Sequence, residues 1–200
     1  MACRIALFCE DAAHENFGRA LISRCAADTG VSVTLTVPTA RFGIPRLKAE
    51  IAAYQSVIQR TGGTPDLLVV LVDANNVGVS SRKTEVESAL DPTLLPAWVI
   101  GVPDPYVERW MLADPTSFAE LFGRQPDLGA VNDRLAWKHR LITALEVSGE
   151  IVTQGGAEFA DEIVAAMDLY RAGRVAPSLN LFVSDLGAAL RRLKLACDAV

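Results

Sequence analysis

Two hundred residues, half of them apolar, can bury a full core in one domain or in a domain with a sizeable extension. A net charge of −5 excludes a broad, nonspecific nucleic-acid coat while leaving room for a local basic channel. No apolar run approaches the roughly 20 residues of a spanning helix, and the start, Met1 to Cys9, runs into charged residues unlike a signal peptide, so a cytoplasmic protein is expected.

In chain order, residues 4–9 read as a short apolar strand. Glu10 to Glu15 follows as a polar turn before a helix with Phe17, Leu21 and Cys25 on one face. Gly30 stops that helix, and residues 31–37 alternate as a β-branched strand ended by Pro38. A helical pattern from Pro45 to Arg60, with Leu47, Ile51, Tyr54 and Ile58, runs to Gly62-Gly63. Leu67 to Val72 is then a continuous aliphatic run, the pattern of a central parallel strand covered on both faces. A helix near Ser81–Leu90 precedes a fourth strand at 97–102. Helices crossing between successive buried strands predict a parallel sheet with right-handed connections.

Beyond the fourth strand, Asp104-Pro105 and Asp114-Pro115 each read as an N-cap with proline at the first helical position. Gly123 to Asn132 is a polar connector and the expected internal boundary. Helical patterns follow at 133–147, 157–171 and 178–196, the last with an apolar stripe of Leu179, Phe182, Val183, Leu186 and Leu190. The expected organisation is an α/β core over 1–122 and a helical C-terminal extension over 123–200 packed on it. Cys3, Cys9, Cys25 and Cys197 lie singly in apolar segments without zinc spacing, so they read as reduced core thiols. Trp98 and Trp110 also read as core.

Ligands of open α/β sheets gather outside the carboxyl ends of the strands. Glu10 ends the first strand and Asp73 the third, so both carboxylates emerge on one edge, within about 10 Å if they share a cation with oxygen ligands about 2.1 Å from it. Like charges so placed call for a positive partner, and Mg²⁺ or Mn²⁺ held by carboxylates, waters and phosphate oxygens would supply it. Read without such an ion, Glu10 is a solvated turn residue and Asp73 a helix cap.

The pattern resembles the Toprim domain of primases, topoisomerases, OLD-type nucleases and RloB-like proteins. Glu10 with Glu15 looks like that family's Glu-x-x-x-x-Glu region, and Asp73-Ala74-Asn75 like its Asp-x-Asp, with Asn75 in place of the second Asp and Asp11 where a glycine often follows the first Glu. Downstream, Asp104-Pro105-Tyr106-Val107-Glu108-Arg109-Trp110-Met111-Leu112-Ala113-Asp114, just after the fourth strand, and Pro177-Ser178-Leu179-Asn180-Leu181-Phe182 are similar to segments of a Toprim-related family encoded beside AAA- or ABC-type ATPases. The resemblance implies a Toprim-like, Rossmannoid four-stranded sheet with flanking helices. It implies metal ligation by Glu10, Asp73, Asn75 and Glu108, catalysis by Glu10 and Asp73, and an ATPase partner in a defence or restriction-like system.

Lys83 is a candidate for stabilising charge on a scissile phosphate. Arg134 and Lys138, at i and i+4, are candidates for a nucleic-acid-binding track. With two histidines in the chain, a His-based site is not expected from His14. These features predict a Mg²⁺-dependent nuclease acting on DNA or RNA. The alternatives are a regulatory or binding subunit with a decayed site, and an unrelated doubly wound protein that binds a small phosphorylated ligand.

Overall fold

The computed structural model describes residues 2–38, 43–75, 77–129 and 133–198. Strands β1 (Cys3–Cys9), β2 (Val33–Thr36), β3 (Leu67–Leu71) and β4 (Trp98–Gly101) form one parallel sheet in the order β2-β1-β3-β4. Every residue of β3 is buried, as its unbroken aliphatic sequence requires of a strand paired on both sides and covered on both faces.

The alternation of side chains divides the core into two layers. Ile5, Leu7, Cys9, Leu67, Val69, Leu71 and Val99 face the layer containing α1 (Ala12–Thr29). Phe8, Leu68, Val70 and Ile100 face α2 (Ile44–Thr61) and α3 (Val79–Glu87). Because β1 hands the chain to β2 on one side and β3 hands it to β4 on the other, the connections diverge between their carboxyl ends. That divergence leaves the crevice in which α/β sheets place ligands.

Close approach of α1 to the sheet depends on Gly18, where a methyl group would collide with Leu71 and stand 3.3 Å from Leu7. On the same layer follow α4 (Val107–Met111), α5 (Pro115–Phe122), α6 (Arg134–Val147), a short 3-10 turn (Ala157–Phe159), α7 (Ala160–Ala166), α8 (Leu169–Val175) and α9 (Pro177–Asp198). The expected stripe of α9 is buried at Leu179, Phe182, Leu186 and Leu190, in the same core as α1. Phe182 stacks on Trp110 with centroids 5.6 Å apart, and Trp110 Nε1 donates to Ser178 Oγ at 2.9 Å. The two downstream segments singled out in the sequence therefore meet each other in the fold.

Several boundaries differ from expectation. Helix α1 begins at Ala12, not after Glu15, because Asp11 is its N-cap and accepts the N–H groups of Ala13 and His14. Asp114-Pro115 opens α5 as expected, whereas Asp104-Pro105 is a cis bend and α4 starts two residues later, after Tyr106. The helix expected over 157–171 is broken at Met167 and Asp168. There the Asp168 carboxylate caps α8 through Tyr170 N and Arg171 N, while its own N–H donates to Asp114 Oδ2 at 2.7 Å. Cys9 and Cys25 are buried free thiols and Cys3 is buried in the same core; the side chain of Cys197, Asn76 and the end of the connector at 130–132 lie outside the described residues. Among the described residues no helix is long and apolar enough to cross a membrane.

Candidate metal centre

The parallel ladder delivers the first two acids together. Glu10 N donates to Leu71 O at 3.1 Å, continuing the β1–β3 pairing, and Asp73 N returns a hydrogen bond to Glu10 Oε2 at 3.1 Å. The loop after β3 is zipped to the loop after β4 through Val72 N to Gly101 O, Ala74 N to Pro103 O and Asn75 N to Pro105 O. This brings the first N–H of α4, that of Val107, to Asp73 Oδ1 at 2.9 Å and sets Glu108 beside it.

The structure corrects the reading of His14. Placing the first turn of α1 at Ala12 turns the imidazole inward, where it is fully buried between two carboxylates. Its Nδ1 lies 2.7 Å from Asp11 Oδ1 and its Nε2 2.9 Å from Asp73 Oδ1. Burial disfavours the charged ring, but the Asp73 carboxylate and the hydrogen bonds to Asp11 and Asp73 outweigh it, so the pKa stands well above the usual imidazole range. Burial likewise opposes ionisation of Asp11, and the hydrogen bonds from His14 with the charge of Arg134 overcome it, holding that carboxyl well below the usual range.

One ligand atom from each of Glu10, His14 and Asp73 lies within 4.8 Å of the other two, and this buried group could hold a metal ion. Two further observations bear on its chemistry. Among the described residues Asp73 Oδ2 and Glu108 Oε2 have no hydrogen-bond partner, while Asp73 is fully buried and Glu108 only 4% exposed. Buried carboxylate oxygens left unpaired are costly unless something positive completes them. Burial raises the pKa of Glu108, and the charge of Asp73 adds to the rise, so the two repel across the gap.

The remaining candidates divide. Arg134 reaches from α6 to Asp11 Oδ2 and lies in the field of Asp73, Glu108 and Glu10, with its helix anchored by the buried Trp137. Lys138, one turn on, is exposed and lies along Gly155. Asn75 adopts a left-handed backbone with φ of 47°, a conformation that Asn tolerates better than most residues. Glu15 pairs with Arg19 along α1 at 3.0 Å.

Lys83 does not face the carboxylates. It pairs with Asp185 of α9 at 3.3 Å on the surface of the sheet's β4 edge. Its neighbour Arg82 is the buried cation instead, donating from Nε to Asp73 O at 3.0 Å and pairing with Glu85 at 2.6 Å. Sequence reasoning missed His14 and Arg82. The only local signal for the first was an acid three residues before it, in N-cap position. Searches against protein-family models, curated proteins and solved structures found no match to the chain.

Proposed function

We propose that the protein is a metal-dependent phosphodiesterase acting on nucleic acid, with a divalent cation, Mg²⁺ or Mn²⁺, held by Glu10 and Asp73 and completed by Glu108 and Asn75. The observation that carries this reading is the unpartnered Asp73 Oδ2 inside the buried group of Glu10, His14 and Asp73 at the carboxyl edge of the sheet, with Glu108 Oε2, also unpartnered among the described residues, in the field of Asp73. The donor set fits such an ion, because carboxylates fixed by the backbone leave outward oxygens free to ligate. The cation supplies positive charge against the negative charge that develops on a phosphoryl group during hydrolysis.

The chain's own groups do the rest. Val107 N–H and His14 Nε2 fix the orientation of Asp73, and Asp73 N–H fixes Glu10. Arg82 Nε donates to the Asp73 carbonyl, so the acids are positioned before any substrate arrives. Arg134, half-exposed at the mouth, offers a planar donor fork suited to phosphate oxygens. An ATPase subunit acting with this chain in a defence or restriction-like system belongs to the same reading and rests on the resemblance described above.

The test is cleavage of plasmid and single-stranded DNA and RNA by the full-length protein, with Mg²⁺ or Mn²⁺ and with chelator. Cleavage should require the cation and disappear in Glu10→Gln and Asp73→Asn proteins that retain the wild-type melting temperature measured without metal. Absence of cleavage with both ions on all three substrates would leave a regulatory role for the same fold.

A further inference from the structure

The two nitrogens of His14 are differently placed, and the difference matters for which ion the site takes. Nδ1 faces Asp11 Oδ1 at 2.7 Å, and Asp11 is itself held by the N–H groups of Ala13 and His14 and by Arg134. Nε2 points the other way, into the acid cluster, 2.9 Å from Asp73 Oδ1 and within the 4.8 Å group that includes Glu10. A carboxylate fixing one ring nitrogen while the other faces a ligand position is the arrangement that orients metal-binding histidines and raises their basicity.

The spacing also suits ligation. Two neighbouring ligands of an ion with bonds of about 2.1 Å stand about 3.0 Å apart at a right angle. The 2.9 Å between Nε2 and Asp73 Oδ1 therefore serves as a hydrogen bond without an ion, and as one edge of a coordination polyhedron with one. In the second state Nε2 has given up its proton and the ion lies to one side of the line between the two atoms. Asp73 Oδ2, buried and without a partner among the described residues, is a second oxygen of the same carboxylate open to a cation.

We infer that Glu10, His14 and Asp73 form a mixed nitrogen and oxygen centre, with Asp11 as the residue positioning the imidazole, and that it selects a first-row divalent transition ion over Mg²⁺. The physical ground is donor type. Mg²⁺ favours oxygen ligands and retains its waters, whereas an imidazole nitrogen in the first shell favours Mn²⁺ and the later ions of its row. This inference rests on the metal reading of the site and is independent of the substrate.

The experiment uses the full chain, freed of metal by chelator and dialysis, with MnCl₂ and MgCl₂ as probes. Calorimetric titration should show Mn²⁺ binding at least about tenfold tighter than Mg²⁺. Pulsed electron paramagnetic resonance of the Mn²⁺ complex should show coupling to a directly bound imidazole ¹⁴N. Asp11→Asn keeps a side chain that caps helices as well as Asp does, so α1 should persist, and Mn²⁺ affinity should fall by about 10- to 100-fold. Equal affinity for the two ions, or bound Mn²⁺ without nitrogen coupling, would overturn the inference. Cleavage supported by Mg²⁺ in a protein lacking that coupling would sink this assignment and leave the phosphodiesterase standing. Nitrogen-coupled Mn²⁺ without cleavage would do the reverse.

Discussion

Gly101, the last residue of β4, tests whether the C-terminal helix is integral to the α/β core. A β-carbon there would collide with Leu71 and stand 2.8 and 3.0 Å from two ring carbons of Phe182. The Leu71 methyl can rotate, but the Phe182 ring is buried between α9 and Trp110 and must retreat by several tenths of an ångström. Overpacking of this kind costs about 1–3 kcal/mol. The lower entropy of alanine in the unfolded chain returns about 0.4–1 kcal/mol. The net loss for Gly101→Ala is then about 1–2 kcal/mol, or roughly 2–8 °C in melting temperature for a chain of this size. Phe182→Leu should be destabilising alone because it leaves a cavity against Trp110. In the double variant the smaller side chain makes room for the methyl, so the two losses should add to less than their sum by about 0.5–2 kcal/mol. Circular-dichroism melts of the four proteins measure this coupling. A neutral Gly101→Ala, or strict additivity, would mean that α9 is not seated on β4 as described.

Three further substitutions test the packing and electrostatics. Burial works against ionisation of Asp114, but hydrogen bonds from Arg171, Asp168 N–H and Ser117 prevail and keep its pKa below the usual carboxylate value. Its stabilising contribution is therefore present above the unfolded pKa of about 3.9 and is lost as pH falls through the folded value. Asp114→Asn should cost about 1.5–3 kcal/mol at pH 7 and flatten the loss of stability below about pH 4. Melting curves that stay parallel to the wild type down to pH 3 would contradict the role given to this carboxylate. Arg82→Leu should cost about 1–3 kcal/mol and shrink the rise in melting temperature on adding Mn²⁺, because it removes the donor to the Asp73 carbonyl. Lys83→Ala, which breaks only a half-exposed surface pair with Asp185, should stay within about 0.5 kcal/mol and leave that rise unchanged, and a reversed ranking of the two would refute their assignment.

What could be read from the chain was set by residues whose local chemistry determines their structure. The aliphatic run before Asp73, bounded by Gly62-Gly63 and too short for a typical helix, reads as a buried strand, Gly30 in the left-handed region stops α1, and Asp114-Pro115 opens α5. Those features placed Glu10 and Asp73 at one sheet edge. What could not be read depended on rotational phase or on distant contacts. Asp104-Pro105 and Asp114-Pro115 look alike, and only the loop pairings of Ala74 and Asn75 distinguish the first. Lys83 and Arg82 are adjacent, about 100° apart on a helix, and α3 offers no apolar stripe to say which faces inward. His14 is not legible as a site residue because two histidines form no ligand pattern, and its inward turn depends on a helix start set by the Asp11 cap.

The acids that converge on the crevice are distant in sequence. Asp73 pairs with Glu10 and His14 across separations of 63 and 59 residues, and Val107 reaches Asp73 from 34 residues further on. Contacts of such span close only after β1 and β3 have paired and the loop after β4 has been laid against them, so their loop entropy is met late in folding. Repulsion among these carboxylates is correspondingly absent from the early collapse and is felt as the native state forms. An ion that fills the cluster then acts on a structure that already exists. Its effect falls on the rate at which the finished protein comes apart and scarcely on the rate at which it forms.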